Sequence, residues 1–478
     1  MKMADNTLSY PIETDIPSNY LKNLMDFINQ KYIMPQTKWF SDVSQKVISG
    51  GPALTFNLLD AAGKPNLYIE IVGGKPVELR IQRLADTVTQ EKIEKSRQDI
   101  TIIIDLFEEQ VRKSTLFFAW REGENIVPEQ LRGNEKKPIN RLFLETQILL
   151  FMVFIVVSIL LFQVLGWLTP LVLIAMQFGF VFYSSRIIAR AADWHITESN
   201  PSIHLLEYHL PLNEQDDVRK RFSKEALVEL KKEVYEKAIA QKGEINCENV
   251  QQVFSKNGLT CGPENLSAKK VDVYHLVKKA TDKFGYPMPE VVVANTILPN
   301  AAASGPSPSR GVVLITTGLL VQLDEDEILS VLGHELGHLK GRDPLLLYGL
   351  SCVQYLFLFY VLWSFIYSSA LLFIVYFWAI LTIIYFIAKF FEARADLISA
   401  IVIGQPQLLS RALEKIGFKR LLYERTPSFR IQEWISLDPH PPIYFRINRL
   451  EKIQIPVKIK HPLLQSAKDV TRGFFASF

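Results

Sequence analysis

Two long stretches of the sequence contain no charged residue, and they limit what the chain can fold into more than any other feature. The first runs from Thr146 to Ser185 and the second from Pro344 to Ala388. A helix needs about 20 apolar residues to cross a bilayer, so each stretch is long enough to cross twice. Core helices of a large soluble protein are the alternative, but uncharged runs of this length argue against it. We therefore expect two transmembrane helical hairpins with four spans.

The orientation of the hairpins follows from their flanks. A turn is indicated near the middle of each stretch, at Gly166 to Pro170 and at Ser364 to Ser369, and neither turn contains a lysine or arginine. Cytoplasmic loops carry the excess of basic residues, so we expect both termini and the segment between the hairpins to face the cytoplasm from the plasma membrane. The basic residues at the outer ends of the two stretches are Arg132, Lys136, Lys137, Arg141, Arg186, Arg190, Arg342, Lys389 and Arg394.

Composition agrees with a membrane protein that also has soluble parts. Of the 478 residues, 48% are hydrophobic and 22% are charged. The net charge of +3 is close to balance, so nucleic acid is not an expected partner. The two long uncharged stretches make the lipid bilayer an expected partner. No apolar run of signal-peptide length occurs between Met1 and Pro17, and we expect the first domain to stay in the cytosol.

The cysteines do not indicate a metal site. Cys247 and Cys261 lie between the hairpins and form no CxxC pair, so a cysteine zinc site is not expected. We expect two reduced thiols in a cytosolic domain. A disulfide is the alternative if this domain is exported.

The pattern of apolar residues divides the chain into five parts. A soluble α+β domain is expected at 1–140, a hairpin at 141–190, the first part of a catalytic domain at 191–343, a second hairpin at 344–388, and the rest of the catalytic domain at 389–478. In the first domain, strands are predicted at Ala53 to Asp60, Leu67 to Val72, Val77 to Gln82 and Thr115 to Trp120, with a helix from Gln90 to Arg112. Between the hairpins, helices are predicted at Ser223 to Lys242 and Val273 to Phe284, and strands at Glu290 to Ala294 and Gly311 to Thr316.

The chemistry is indicated by His334, Glu335 and His338. Histidines four residues apart lie on one face of a helix, so both imidazoles can reach one metal ion. The glutamate between them is placed to take a proton from water activated by that metal. Acidic residues from Asp324 to Glu327 predict the start of the required helix independently. Two ordinary helix histidines are the alternative.

A catalytic zinc needs a third protein ligand, and Glu392 is the candidate. It follows the second hairpin directly and lies four residues before Asp396 on a helical pattern. Glu392 could bind zinc while Asp396 orients a ligand histidine. An ordinary solvated charged face is the alternative.

These motifs resemble those of the HtpX-type membrane zinc metalloproteases, which are related to the CAAX prenyl proteases. The resemblance covers about Arg141 to Leu450, in the order hairpin, HExxH, hairpin, ExxxD. It implies a predominantly helical α+β fold with a zincin-like HExxH domain and one zinc ion. By resemblance, His440 and Arg446 in the HPP-xxx-R motif would stabilise the oxyanion.

The resemblance also extends to the segment ahead of HExxH. It implies that Asn300, Ala301, Ala302 and Ala303 belong to an edge strand that pairs with the substrate backbone, while a loop of small residues is the alternative. The resemblance does not extend to residues 1–140 or to the insertion at 214–266.

The function expected from these residues is zinc-dependent hydrolysis of peptide bonds. The HExxH helix leads into a membrane helix at Pro344, so the site should lie close to the membrane surface. Membrane proteins under quality control are the expected polypeptide substrates. One alternative is a CAAX-type processing protease of prenylated proteins, and another is a catalytically silent membrane scaffold.

Overall fold

The structure is a computed structural model that describes residues 7–14, 16–85, 88–113, 115–123, 146–210, 222–241, 243–262, 265–362, 369–424, 427–454 and 459–477. Its strands are β1 Thr7–Ile12, β2 Phe40–Ile48, β3 Gly51–Leu59, β4 Pro65–Val72, β5 Val77–Arg83, β6 Thr115–Arg121, β7 Trp194–Ile196, β8 Ser202–His209, β9 Leu266–Asp272, β10 Glu290–Ala294, β11 Ala301–Ser304 and β12 Val312–Thr316. Its helices are α1 Leu21–Ile28, α2 Gln90–Lys113, α3 Thr146–Leu165, α4 Thr169–Ala191, α5 Lys224–Lys237, α6 Cys247–Lys256, α7 Val273–Phe284, α8 Thr317–Gln322, α9 Glu325–Gly341, α10 Asp343–Phe357, α11 Ala370–Val402, α12 Pro406–Glu424, α13 Pro427–Ile435, α14 Ile443–Glu451 and α15 Pro462–Phe475.

The chain forms two compact units that combine distant segments. The first unit consists of Met1–Phe118, Leu206–Ala226 and Glu236–Ala268, and the second of Ala119–Leu205, Leu227–Tyr235 and Lys269–Phe478. Three strands also form a sheet in the order β6-β8-β9. The five domain boundaries expected from the sequence stay predictions.

The first unit is built on an antiparallel five-stranded sheet in the order β1-β5-β4-β3-β2. Alternate side chains of its central strands, such as Phe56, Ile69 and Leu79, are fully buried. Helices α1 and α2 contribute to the same core, for example through Leu24 and Ile100. All four strands and the helix predicted for this region are present within two residues of their expected ends.

Cys247 and Cys261 form a disulfide in the first unit, with an S–S distance of 2.11 Å and 5.6 Å between the Cα atoms. The expectation of two reduced thiols was wrong for this structure. Thirteen residues separate the two cysteines along the chain. This spacing does not predict a disulfide, because the distance between the two Cα atoms depends on how the segment around α6 folds back.

Candidate membrane spans lie in both of the long apolar stretches. Among the described residues, three helical segments are long and apolar enough to cross, namely Val156–Gly179, Asp343–Leu362 and Leu371–Val402. The first of these joins α3 to α4 through a short 3-10 turn at Gly166–Leu168. Four spans stay a prediction, and residues 364–368 of the expected second turn lie outside the described residues, as do the basic residues Arg132 to Arg141 of the first flank.

Aromatic residues pack the first apolar stretch against the second. The Tyr360 hydroxyl donates to the Trp167 carbonyl at 2.7 Å, and the two rings stack with 6.3 Å between their centroids. Phe162 and Phe359 meet edge to face at 5.7 Å. These contacts hold the two apolar stretches together.

The second unit contains a four-stranded sheet in the order β11-β12-β10-β7. Strands β10 and β12 are parallel, and β11 pairs antiparallel with β12 as an edge strand. Val292, Leu314 and Ala189 share one core cluster, so the end of helix α4 packs on this sheet. The predicted strands β10 and β12 and helix α7 are present, and β11 occupies the small-residue segment.

Candidate metal centre

Helix α9 carries the two histidines of the HExxH motif, and its first turn explains where it begins. The backbone N–H of Asp324 donates to Glu327 Oε2 at 3.0 Å, and the Asp324 side chain accepts from the Glu327 backbone, which completes a capping box. His334 and His338 follow on one face, with 3.1 Å between their Nε2 atoms. Both imidazoles are largely buried, and both point toward helix α11.

Two glycines of α9 allow helix α11 to pass at close range. A Cβ on Gly333 would lie 2.4 Å from Ile403 Cγ1, and one on Gly337 would lie 3.2 Å from Ala395 Cα. Any larger residue at these positions would push the helices apart. The close approach brings Glu392 on α11 to the two histidines.

Glu392 bridges the two histidines with its two carboxylate oxygens. Oε2 lies 3.4 Å from His334 Nε2, and Oε1 lies 3.3 Å from His338 Nε2. Zinc bonds to nitrogen and oxygen ligands are about 2.0–2.2 Å long, so the ligand atoms of a tetrahedral site lie about 3.3 Å apart. The separations observed here suit one zinc ion. Glu392 Oε2 is also buried without a hydrogen bond among the described residues, which leaves it available to a cation.

His334 is oriented from behind by Asp396, and Asp396 is held by Arg446. His334 Nδ1 lies 2.9 Å from Asp396 Oδ1, while Arg446 donates to both Asp396 oxygens, from Nη2 at 2.7 Å and from Nε at 2.9 Å. Burial alone would lower the pKa of His334, but the Asp396 and Glu392 carboxylates outweigh it and raise the pKa. The orienting role of Asp396 stays a prediction.

Asp396 binds two of the three guanidinium nitrogens of Arg446, which leaves Nη1 for the predicted oxyanion role. Its Nε and Nη2 are both used by Asp396, and its Nη1 lies 3.9 Å from Glu392 Oε2. Burial would lower the pKa of the Arg446 guanidinium, but Asp396 beside it raises the pKa. Arg446 is therefore a permanent cation whose main contact is Asp396.

Asp343 holds the second histidine and was not singled out from the sequence. Its Oδ2 lies 2.8 Å from His338 Nδ1, and its other oxygen forms an ion pair with Arg394. The chain turns at Arg342, which has a left-handed φ of 52°, so that Asp343 folds back onto the preceding helix. In the sequence, this contact is indicated by nothing more than the position of Asp343 five residues after His338.

His440 lies at the open side of the site. Its Nε2 is 3.6 Å from Glu392 Oε2, its Nδ1 is 2.7 Å from Asp438 Oδ1, and 44% of its side chain is exposed. Asp438 is itself fixed, because the buried Lys389 donates to its carbonyl. Burial would raise the pKa of Asp438, but His440 and Arg420 hold it well below its usual range. The imidazole is thus aimed at the centre while it remains accessible from solvent.

The edge strand β11 runs beside the motif glutamate. The backbone N–H of Ala303 donates to Glu335 Oε2 at 3.0 Å. Ala302 and Ala303 pair with β12, while Asn300 precedes the strand and is held by Thr316 through its N–H and carbonyl. The structure therefore brings the small-residue segment, the HExxH helix and Glu392 together.

Similarity to known proteins identifies the class of enzyme. The model of peptidase family M48 matches residues 267–454. A protease HtpX homolog from Pyrococcus furiosus is 32% identical over 217 residues, which cover 39% of this chain and 75% of that protein. The chain belongs to peptidase family M48. A further protease HtpX homolog, from Methanothermobacter thermautotrophicus, is 36% identical over 154 residues, covering 30% of this chain and 58% of that protein.

As an HtpX-like M48 member, the protein is a membrane metalloprotease, and the expected family is confirmed. The crystal structure of Ste24p from S. mikatae is 21% identical and covers 37% of this chain and 49% of that chain, with a TM-score of 0.31. A likeness of that size carries no argument about function. The family match begins after the insertion at 214–266, so neither that insertion nor residues 1–140 fall within it.

Proposed function

We propose that this M48 metalloprotease hydrolyses peptide bonds at a single zinc ion held by His334, His338 and Glu392. The observation that carries the proposal is the spacing of the three donor groups, 3.1 to 3.4 Å apart. Zinc at this position supplies a Lewis acid for the scissile carbonyl. The remaining steps belong to side chains of the protein.

Glu335 is the proposed general base. Its position between the two ligand histidines puts its carboxylate beside the attacking water, and the N–H of Ala303 holds Oε2 in place at 3.0 Å. Glu335 would accept a proton from water and later pass it to the leaving amine. His440 is the proposed donor to the oxygen on which negative charge develops, because its Nε2 faces the centre and is reachable from solvent. Arg446 would add its charge from behind Asp396.

Strand β11 is the proposed binding site for the substrate backbone. It is the edge strand of its sheet, so an extended peptide can add to it through main-chain hydrogen bonds. Asn300, Ala301, Ala302 and Ala303 are small or polar, and the backbone of Ala303 lies directly beside Glu335. Since such pairing ignores side chains, it suits an enzyme that degrades many polypeptides, and we propose membrane proteins under quality control as the substrate class.

Zinc content and cleavage of casein test the proposal on purified full-length protein. We expect one zinc per chain in the wild type and in Glu335→Gln, with casein cleavage in the wild type alone. Cleavage by Glu335→Gln would refute the role of the base. Cleavage restricted to prenylated peptides would favour the CAAX-type alternative, and a zinc-loaded wild type inactive on both would favour the scaffold.

We also propose that the catalytic side faces the cytoplasm of a plasma membrane. The basic flanks Arg186, Arg190 and Arg342 support this orientation. Two other flanking residues, Lys389 and Arg394, are buried in the protein and have structural partners. The Cys247–Cys261 disulfide is the opposing observation, since disulfides persist mainly in oxidising compartments.

Thiol labelling in intact cells shows on which side of the membrane Cys247 and Cys261 lie. If the catalytic side is cytoplasmic, Cys247 and Cys261 should react only with a membrane-permeant maleimide, after the disulfide has been opened with a membrane-permeant reductant. Labelling by an impermeant maleimide after treatment with an impermeant reductant would place the disulfide outside and reverse the orientation.

A further inference from the structure

We propose that Asp343, held by Arg394, is a positioning residue for the metal ligand His338. Through this pair, the membrane helices α10 and α11 set the geometry of the metal centre. The inference rests on the proposed function, since it assigns a role to residues behind one of the proposed zinc ligands.

Both oxygens of Asp343 are used. Oδ2 contacts His338 Nδ1 at 2.8 Å, and Oδ1 is paired with the Arg394 guanidinium. The Asp343 side chain is 4% exposed and that of Arg394 is 9% exposed. A carboxylate this deeply buried is stable only with a partner for its charge. Arg394 is that partner, and it leaves the other oxygen aimed at the histidine.

A glycine makes the contact with Arg394 sterically feasible. A Cβ on Gly341 would lie 1.5 Å from Arg394 Nη2 and 2.7 Å from Asp343 Oδ1. Any side chain at the end of α9 would therefore occupy the space that the guanidinium needs. The face of Phe391, 5.3 Å from the guanidinium carbon, covers Arg394 from another side. The pair sits where the end of α9 and the start of α10 meet helix α11.

The arrangement repeats the one behind the other histidine. His334 contacts Asp396, and Asp396 is held by Arg446, just as His338 contacts Asp343 and Asp343 is held by Arg394. A carboxylate on Nδ1 keeps the proton there and presents Nε2 as the ligand atom. Each histidine therefore has its own aspartate and arginine behind it.

The two Asp–Arg pairs connect different helices. Asp396 and Arg446 join α11 to α14. Asp343 is instead the first residue of α10, and Arg394 lies on α11 two residues after Glu392. Both of these helices include candidate membrane spans. A shift of α10 against α11 would move Asp343 relative to Arg394 and so turn His338, which gives the membrane a direct route to the zinc ligand.

Zinc affinity tests the inference without relying on peptidase activity. Asp343→Asn in the purified full-length protein keeps the size of the side chain but removes its charge. We expect its affinity for zinc, measured by competition with a chelator, to fall about 10- to 100-fold. The matched control is Asp272→Asn, which alters a His–Asp contact of 2.7 Å with His275 on the protein surface and should leave the affinity unchanged.

A second variant and a second readout separate positioning from general loss of structure. Arg394→Lys keeps the charge but loses the planar guanidinium, and we expect a smaller fall in zinc affinity. Saturating zinc should restore most of the cleavage rate of both variants, which a collapsed site would not permit. Asp343→Asn and Arg394→Lys with the affinity of the wild type would overturn the inference. A wild type that binds no zinc would instead refute the proposed function.

Discussion

The amide nitrogen of Ala303 lies 3.0 Å from Oε2 of Glu335, so the edge strand and the proposed base are joined by a hydrogen bond. This contact fixes the distance between the place where a substrate strand would pair and the carboxylate that would act on it. It also holds the carboxylate in one rotamer before any substrate arrives. The strand would then position both the peptide and the base.

Removal of this N–H should reduce turnover. Ala303→Pro deletes the donor at an edge-strand position whose N–H points away from the sheet, where proline is tolerated. A hydrogen bond to a charged group contributes about 1.5–3 kcal/mol, so we expect cleavage to fall at least about tenfold with zinc content unchanged. Ala303→Ser keeps the N–H and serves as the control. Equal cleavage rates for the two variants would show that the N–H of Ala303 does not assist Glu335.

Loss of Glu392 should have a different effect from loss of Glu335. Glu392 supplies one of three protein bonds to the proposed zinc, so Glu392→Ala should lose both the metal and activity. Metal analysis of the purified variant gives the answer directly. A full equivalent of tightly bound zinc in Glu392→Ala would mean that the third ligand lies elsewhere.

His440 should affect the rate and not the metal. His440→Ala removes the proposed donor to the developing negative charge, and we expect turnover to fall about a hundredfold while zinc content stays at the value of the wild type. Asp438→Asn, which loosens the imidazole without removing it, should have a smaller effect. Normal turnover in His440→Ala would take this residue out of the mechanism.

Gly337 should be required for the close packing of α9 on α11. Gly337→Val places atoms where a Cβ alone already lies 3.2 Å from Ala395 Cα, and we expect a loss of about 1–3 kcal/mol in the free energy of unfolding. Zinc affinity should fall as well, since Glu392 moves away with α11. Gly349→Val is the control, because a Cβ there meets nothing within 4 Å. Equal thermal stability of the two variants would contradict the packing argument.

The first unit should lose stability in acid because of His209. Burial lowers the pKa of this histidine from 6.5 to about 4, and Lys75 adds to the effect. Between pH 6.5 and 4 the unfolded chain binds a proton that the folded chain does not, so stability falls by about 3 kcal/mol as the pH decreases through this range. Hydrogen exchange of the buried sheet amides measures it. In His209→Gln this dependence should be weaker, and an unchanged dependence would assign it to other groups.

Local patterns in the sequence predicted much of the fold and part of the site. The strands and helix of the first unit follow from alternating and helical apolar spacing, which reflects burial on one face. His334 and His338 share a face because four residues make about one helical turn, and this holds wherever the helix lies. The long uncharged stretches likewise indicate membrane helices from length alone.

Only the tertiary structure decided which distant groups meet. Glu392 reaches the histidines because Gly333 and Gly337 let two helices approach, and Asp343 reaches His338 because the chain turns at Arg342. The Cys247–Cys261 disulfide depends in the same way on how its segment folds back. Sequence spacing determines neighbours within one helix or strand, whereas contacts between elements depend on packing over the whole unit, which no local pattern records.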